Sequence, residues 1–172
     1  MSSLVINGDT SGSVTLAAPA VAGSSTITLP TTGGTMRTTT TAGTLLQVVQ
    51  ATYQGEVTTT SGTFQTTNFS GTITPTSATS KILVQAVGEA KVQSGTTNLI
   101  TFYRNGSNVV SQHLVQHSAA GDYVAVPIQY LDSPATISSI SYVLQAAPTN
   151  AAGINWCNDG VTSTITVMEI HG

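Results

Sequence analysis

Between Lys81 and Gln93 the chain reads KILVQAVGEAKVQ, and its side chains alternate with a period of two. On an extended strand Ile82, Val84, Ala86, Gly88, Ala90 and Val92 fall on one face. Leu83, Gln85, Val87, Glu89, Lys91 and Gln93 fall on the other, because successive side chains point to opposite sides of a pleated backbone. A helix would repeat its apolar residues every 3.6 positions, and no stretch of the chain does so convincingly. The strand face in which Ala and Gly sit between valines predicts a second layer packed close against it.

The same alternation recurs along the rest of the chain, with further strands expected at 45–54, 63–67, 123–131, 138–146 and 163–170. Turn-rich gaps separate them: TPTSATS, SAAGD, DSPATI and APTNAAG. Asn105-Gly106 stands between two alternating runs in NLITFYRNGSNVVSQHLVQ. That pair marks a tight hairpin, because both central residues of such a turn need positive φ. Seven or eight short strands in about 125 residues predict an all-β fold, a single antiparallel β-sandwich head of jelly-roll-like form over residues 45–172.

Residues 1–44 read differently. The strand-like pieces Leu4 to Ile6, Val14 to Leu16 and Thr26 to Leu29 carry two or three apolar residues each, between breaks at Asn7-Gly8, Ser11-Gly12, Pro19, Gly23, Pro30 and Gly33-Gly34. A lone hairpin of that size is marginal in water, and too little surface is buried to offset the ordering entropy. The expectation is an extended N-terminal arm, ordered by lying against the head, copies of itself or another protein. Val14, Leu16, Ile27 and Leu29 are its candidate docking residues. Fully extended, at roughly 3.3 Å per residue, it would reach on the order of 100 Å.

Only 6% of the residues are charged and the net charge is −3, where an ordinary soluble domain has about a quarter charged. Thr, Ser, Asn, Gln and Gly take the place of charge. Edge strands usually carry charge that blocks edge-to-edge pairing; its scarcity here predicts faces covered by neighbouring subunits. The cations Arg37, Lys81, Lys91 and Arg104 are scattered, so no basic stripe faces nucleic acid and no polybasic patch faces a membrane. Residues 1–20 lack the basic start and apolar run of a secretion signal, and no apolar run approaches the roughly 18 residues of a spanning helix. One cysteine, Cys157, permits no intrachain disulfide, reads as a small buried apolar residue beside Trp156, and fits assembly in a reducing cytoplasm.

Residues 12–36, GSVTLAAPAVAGSSTITLPTTGGTM, resemble a segment of bacteriophage tail-fibre and virion structural proteins, roughly G-x-(V/I)-T-L-x-A-P-x-x-A-G-x-x-T-(I/L)-T-L-P-x-x-x-G-T. Gly12, Thr15, Leu16, Ala18, Pro19, Ala22, Gly23, Thr26, Thr28, Leu29, Pro30, Gly34 and Thr35 match in place. LLQVVQATYQGEVTTTSGTF is similar to the opening strand of small phage heads, SGTITPTSATSKILVQAVGEA to the ITPSSTSSKILV signature that follows it, and the closing STITVMEIHG to their terminal strand. The resemblance implies a homotrimeric, non-enzymatic virion component, assembled in the host cytoplasm. Its N-terminal part attaches to capsid or tail proteins, and its head projects outward. With no shaft in the chain, a short fibre or capsid decoration protein fits better than a long fibre. The alternative is a receptor-binding fibre tip that recognises a host surface glycan or protein.

Chemical motifs are sparse. His113 and His117 on one strand would face the same way but about 13 Å apart, too far for one metal ion; no metal and no cofactor are expected. No G-x-S-x-G elbow or H-E-x-x-H pattern occurs. The acids Asp122, Asp132, Asp159, Glu89 and Glu169 lack the flanking aromatic platforms on which sugars stack. The segment NAAGINWCNDG holds the single tryptophan, and Asn155, Trp156 and Asn158 are the candidate receptor-contacting loop.

Overall fold

The computed structural model describes residues 3–17, 20–21, 42–92, 97–110, 113–116, 122–149, 153–156 and 160–172. By internal contacts the chain divides into two units, Met1–Met36 and Arg37–Gly172. In the first, β1 (Ser3–Asn7) pairs antiparallel with β2 (Ser13–Ala17), closed by a bond from the Gly8 N–H to the Gly12 carbonyl at 3.0 Å.

The second unit is an antiparallel β-sandwich. In chain order its strands are β3 (Leu45–Tyr53), β4 (Val57–Thr59), β5 (Gln65–Ile73), β6 (Lys81–Val92), β7 (Thr97–Arg104), β8 (Ser107–Asn108), β9 (His113–Gln116), β10 (Asp122–Asp132), β11 (Ile140–Pro148), β12 (Ile154–Trp156) and β13 (Ser163–Ile170). One sheet runs β3-β13-β6-β10, and the other β5-β11-β7-β9. Taking these eight as the principal strands, the orders are 1-8-3-6 and 2-7-4-5. That is two interlocked Greek keys, a jelly roll. Along one edge of the twelve-residue β6, β13 pairs as far as Val87, and β12 takes over from Ala90 to Val92.

The alternation in β6 does what its sequence predicts. Ile82, Val84, Ala86 and Ala90 are at most 1% exposed and belong to one core with Phe69, Phe102, Tyr142, Leu144, Trp156, Ile165 and Val167. A Cβ at Gly88 would lie 2.5 Å from Trp156 Cζ2, and one at Gly71 would lie 2.7 Å from Val167 Cγ2. Those glycines mark where an indole and the opposite sheet come too close for any side chain. Asn105 and Gly106, at φ 48° and 86°, form the predicted hairpin turn between β7 and β8.

Several expectations need correction. The strand expected at 63–67 is β5, which continues to Ile73. Asn68 at φ 58° breaks the alternation there, and the register against β11 shifts between Val143 and Gln145. The Thr67 hydroxyl donates to the Leu144 carbonyl at 2.8 Å across that irregularity. Residues 154–156, read as part of a loop, are strand β12.

Candidate interaction surfaces

The hairpin residues Leu4, Ile6, Val14 and Leu16 share one face, because Leu4 pairs with Leu16 and Ile6 with Val14. They are 58%, 53%, 62% and 51% exposed. Four large aliphatic groups thus stand side by side in water on a two-stranded ribbon. The sequence singled out Val14 and Leu16; the register adds Leu4 and Ile6, whose spacing of two around Val5 was the available signal. Ile27 and Leu29 lie outside the described residues.

In the sandwich the inward and outward faces differ in kind. Among the described residues, two carboxylates are buried inside, both engaged. Asp132, at the end of β10, accepts from Arg104 Nη1 at 2.7 Å and from Tyr142 Oη at 2.7 Å through Oδ2. Its Oδ1 accepts from the Ser133 N–H at 2.8 Å. Because β10 belongs to one sheet and β7 and β11 to the other, this cluster ties the two layers together. Burial and the bond to Asp132 push the Tyr142 phenol well above its usual range.

Glu169, on β13, accepts from Gln47 Nε2 and from the Thr76 N–H and hydroxyl, at 2.6, 2.7 and 2.9 Å. Burial opposes its ionisation. The Ser80 hydroxyl, Gln47 amide and Thr76 donors that face it outweigh burial and hold its pKa at about 2, below the ordinary 4.5. A depressed folded-state pKa means that the unfolded chain takes up the proton first as pH falls. The stabilisation is therefore complete above pH 4.5 and is lost toward pH 2. Glu169→Gln is expected to flatten that part of the profile. Melting temperatures of both proteins between pH 6 and 2 check it, and parallel curves would contradict the assignment.

As acid–base pairs these groups offer nothing open to substrate, since each carboxylate is buried and committed to structural donors. Asp159 and His117 lie outside the described residues. Among the described residues, no three His, Cys, Asp or Glu side chains group as a metal site, and no helix is long and apolar enough to cross a membrane.

The proposed receptor loop is rearranged by the fold. Trp156 is 1% exposed in β12, its ring 6.0 Å from that of Phe69. It fills the core and cannot touch a receptor. Asn155 points the other way, half-buried, and donates to Glu56 Oε1 at 2.8 Å. Asn158 and Cys157 lie outside the described residues. Asn155 turns outward between inward Ile154 and Trp156, as strand alternation requires.

The outer face of β3-β13-β6-β10 is uncharged across its centre. Strand register lays its side chains in rows: Val48, Met168, Leu83, Leu131; then Gln50, Thr166, Gln85, Gln129; then Thr52, Thr164, Val87, Pro127. These twelve residues contain no charge. Lys81 closes one end of the face on β6, and Glu89 and Lys91 close the other, Lys91 lying 5.1 Å from the ring centre of Tyr123. Of the seven large apolar side chains exposed among the described residues of this unit, five stand on the face: Leu45, Val48, Val87, Tyr123 and Leu131. An open depression of about 450 Å³ lies along the β6–β10 seam, between Gln85, Val87, Pro127 and Gln129.

No protein-family profile matches the chain, and no curated protein sequence does. Among solved structures, the chain is similar to that of the Gx strain of infectious bursal disease virus, with a TM-score of 0.45, 18% identity, and 73% of this chain and 32% of that one covered. It is also similar to the VP2 subviral particle of the same virus (TM-score 0.41, 14% identity, 73% and 38% covered). For T=1 particles derived from that virus the values are 0.42, 14%, 96% and 44%. The chain spans less than half the length of each of these.

Proposed function

We propose that the chain is a non-enzymatic bacteriophage structural protein, a short fibre or capsid decoration component, acting as a homotrimer. Its N-terminal arm docks on capsid or tail proteins, and its jelly-roll head projects outward. The segments similar to phage virion proteins support the context. The observation that carries the docking role is the solvent-facing Leu4, Ile6, Val14 and Leu16. Such a ribbon gains stability by burying that face in a partner groove and by adding its unpaired strand edges to the partner's backbone.

Covering four half-exposed aliphatic side chains is worth on the order of 3–6 kcal/mol per hairpin. Three arms on one trimer reinforce each other through effective concentration. Val14→Asp with Leu16→Asp places two charges in the docked face. Attachment to virions assembled without the protein is expected to weaken at least about a hundredfold, or about 2.7 kcal/mol, with head melting unchanged. Unaltered co-sedimentation with virions would refute the docking role.

The receptor-binding alternative loses Trp156 as its contact, so it would have to recognise its glycan or protein through other residues. Copy number separates the two: hundreds per particle mean decoration, a few dozen or fewer a fibre.

A further inference from the structure

We infer that the outer face of β3-β13-β6-β10 is where copies of this chain meet. The inference rests on the reading of the chain as self-associating; what it adds is the surface and the residues that govern it. Three observations carry it. First, charge is absent from the three central rows and returns only at the ends, at Lys81 on one side and at Glu89 and Lys91 on the other. That is how a specific interface is built, with charge depleted at its centre and a polar rim around it.

Second, the central row is made of Gln and Thr. Gln50 Nε2 donates to Thr166 Oγ1 at 3.4 Å, and Gln85 Nε2 to Gln129 Oε1 at 3.2 Å. Each amide keeps donor and acceptor capacity in reserve, and each hydroxyl can do either job. Such groups are complementary to an identical set, so a second copy satisfies them. A nucleic acid or an anionic lipid surface would require a cluster of cations, whereas Lys81 and Lys91 stand at opposite ends of the face, Lys91 two residues from Glu89.

Third, the size suffices. Four strands about 4.8 Å apart and eight residues long cover on the order of 500 Å² in projection. Two such faces together reach the roughly 1,000 Å² that a specific interface requires. The depression beside Val87 gives the neighbour's apolar side chains a place to enter.

The test is sedimentation of the full chain at about 10 μM beside a Val87→Glu, Thr166→Glu double variant. A Thr72→Glu variant, on the exposed side of the opposite sheet, is the control. The wild type and the control are expected to sediment as oligomers, with association of the double variant at least tenfold weaker. A second measurement needs no variant. Oxidation of Met168 by dilute peroxide, read by mass spectrometry, is expected to slow as concentration drives association. If the double variant associates like the wild type, or Met168 oxidises equally fast at all concentrations, this face is not the interface, while self-association stands. A wild-type monomer across the whole range would overturn the inference and the self-association beneath it.

Discussion

Removal of residues 1–36 is expected to leave a head that melts cooperatively, as the full chain does, and that no longer attaches to virions. The reasoning is spatial. Every core residue from Phe69 to Val167 belongs to the Arg37–Gly172 unit. The principal sheets are complete without the arm: β3 is held by β13 and β13 by β6, and the Gly43 N–H is bonded to the His171 carbonyl at 2.7 Å. The head therefore loses no interior when the leader goes. Attachment, by contrast, loses all four apolar groups of the hairpin face at once. Circular dichroism melting and co-sedimentation with virions check the two halves separately. A truncated head that still decorates particles would place attachment on the sandwich itself.

Trp156→Ala is expected to destabilise the head by about 3–5 kcal/mol, the range for deleting a large buried aromatic side chain. The indole is 1% exposed, packs on Phe69, and fills the space that Gly88 leaves open. Its removal opens a cavity that backbone on several strands cannot collapse to fill. Chemical denaturation measures the loss. Were Trp156 a receptor contact instead, the same substitution would leave stability within about 0.5 kcal/mol, as surface substitutions do.

How much of this was legible in the sequence depends on what each segment encodes locally. Strands β3, β6, β10 and β13 announce themselves because one of their faces is buried and the other is not, so the pattern is written in period two. Asn105-Gly106 announces its turn because few other residues tolerate positive φ twice. The second half of β5 was hidden. Asn68 breaks the alternation, and Gly71 shows no side chain because Val167 of the opposite sheet occupies its place. Strand β12 was hidden by brevity, three residues between turn-forming neighbours.

The candidate sites divide in the same way. An exposed hairpin face is local: the sequence singles out Val14 and Leu16 as docking candidates, and the register sets Leu4 and Ile6 beside them. The Asp132–Arg104–Tyr142 cluster joins residues 28 and 10 positions apart, and Glu169 meets Gln47 across 122 positions. No periodicity announces such pairings, which exist only once the two Greek keys have closed. The uncharged outer face is intermediate. The shortage of charge was plain in the composition, but which neutral side chains line up in three rows across four strands is a product of register.

The central claim is that the hairpin of β1 and β2 is completed by another protein. Amide hydrogen exchange across residues 3–17, compared between the free protein and the virion-bound protein, tests it most directly. The account predicts fast exchange when free and strong protection when bound, with the strands of the sandwich core protected in both states. Equal exchange of those amides in the two states would contradict it.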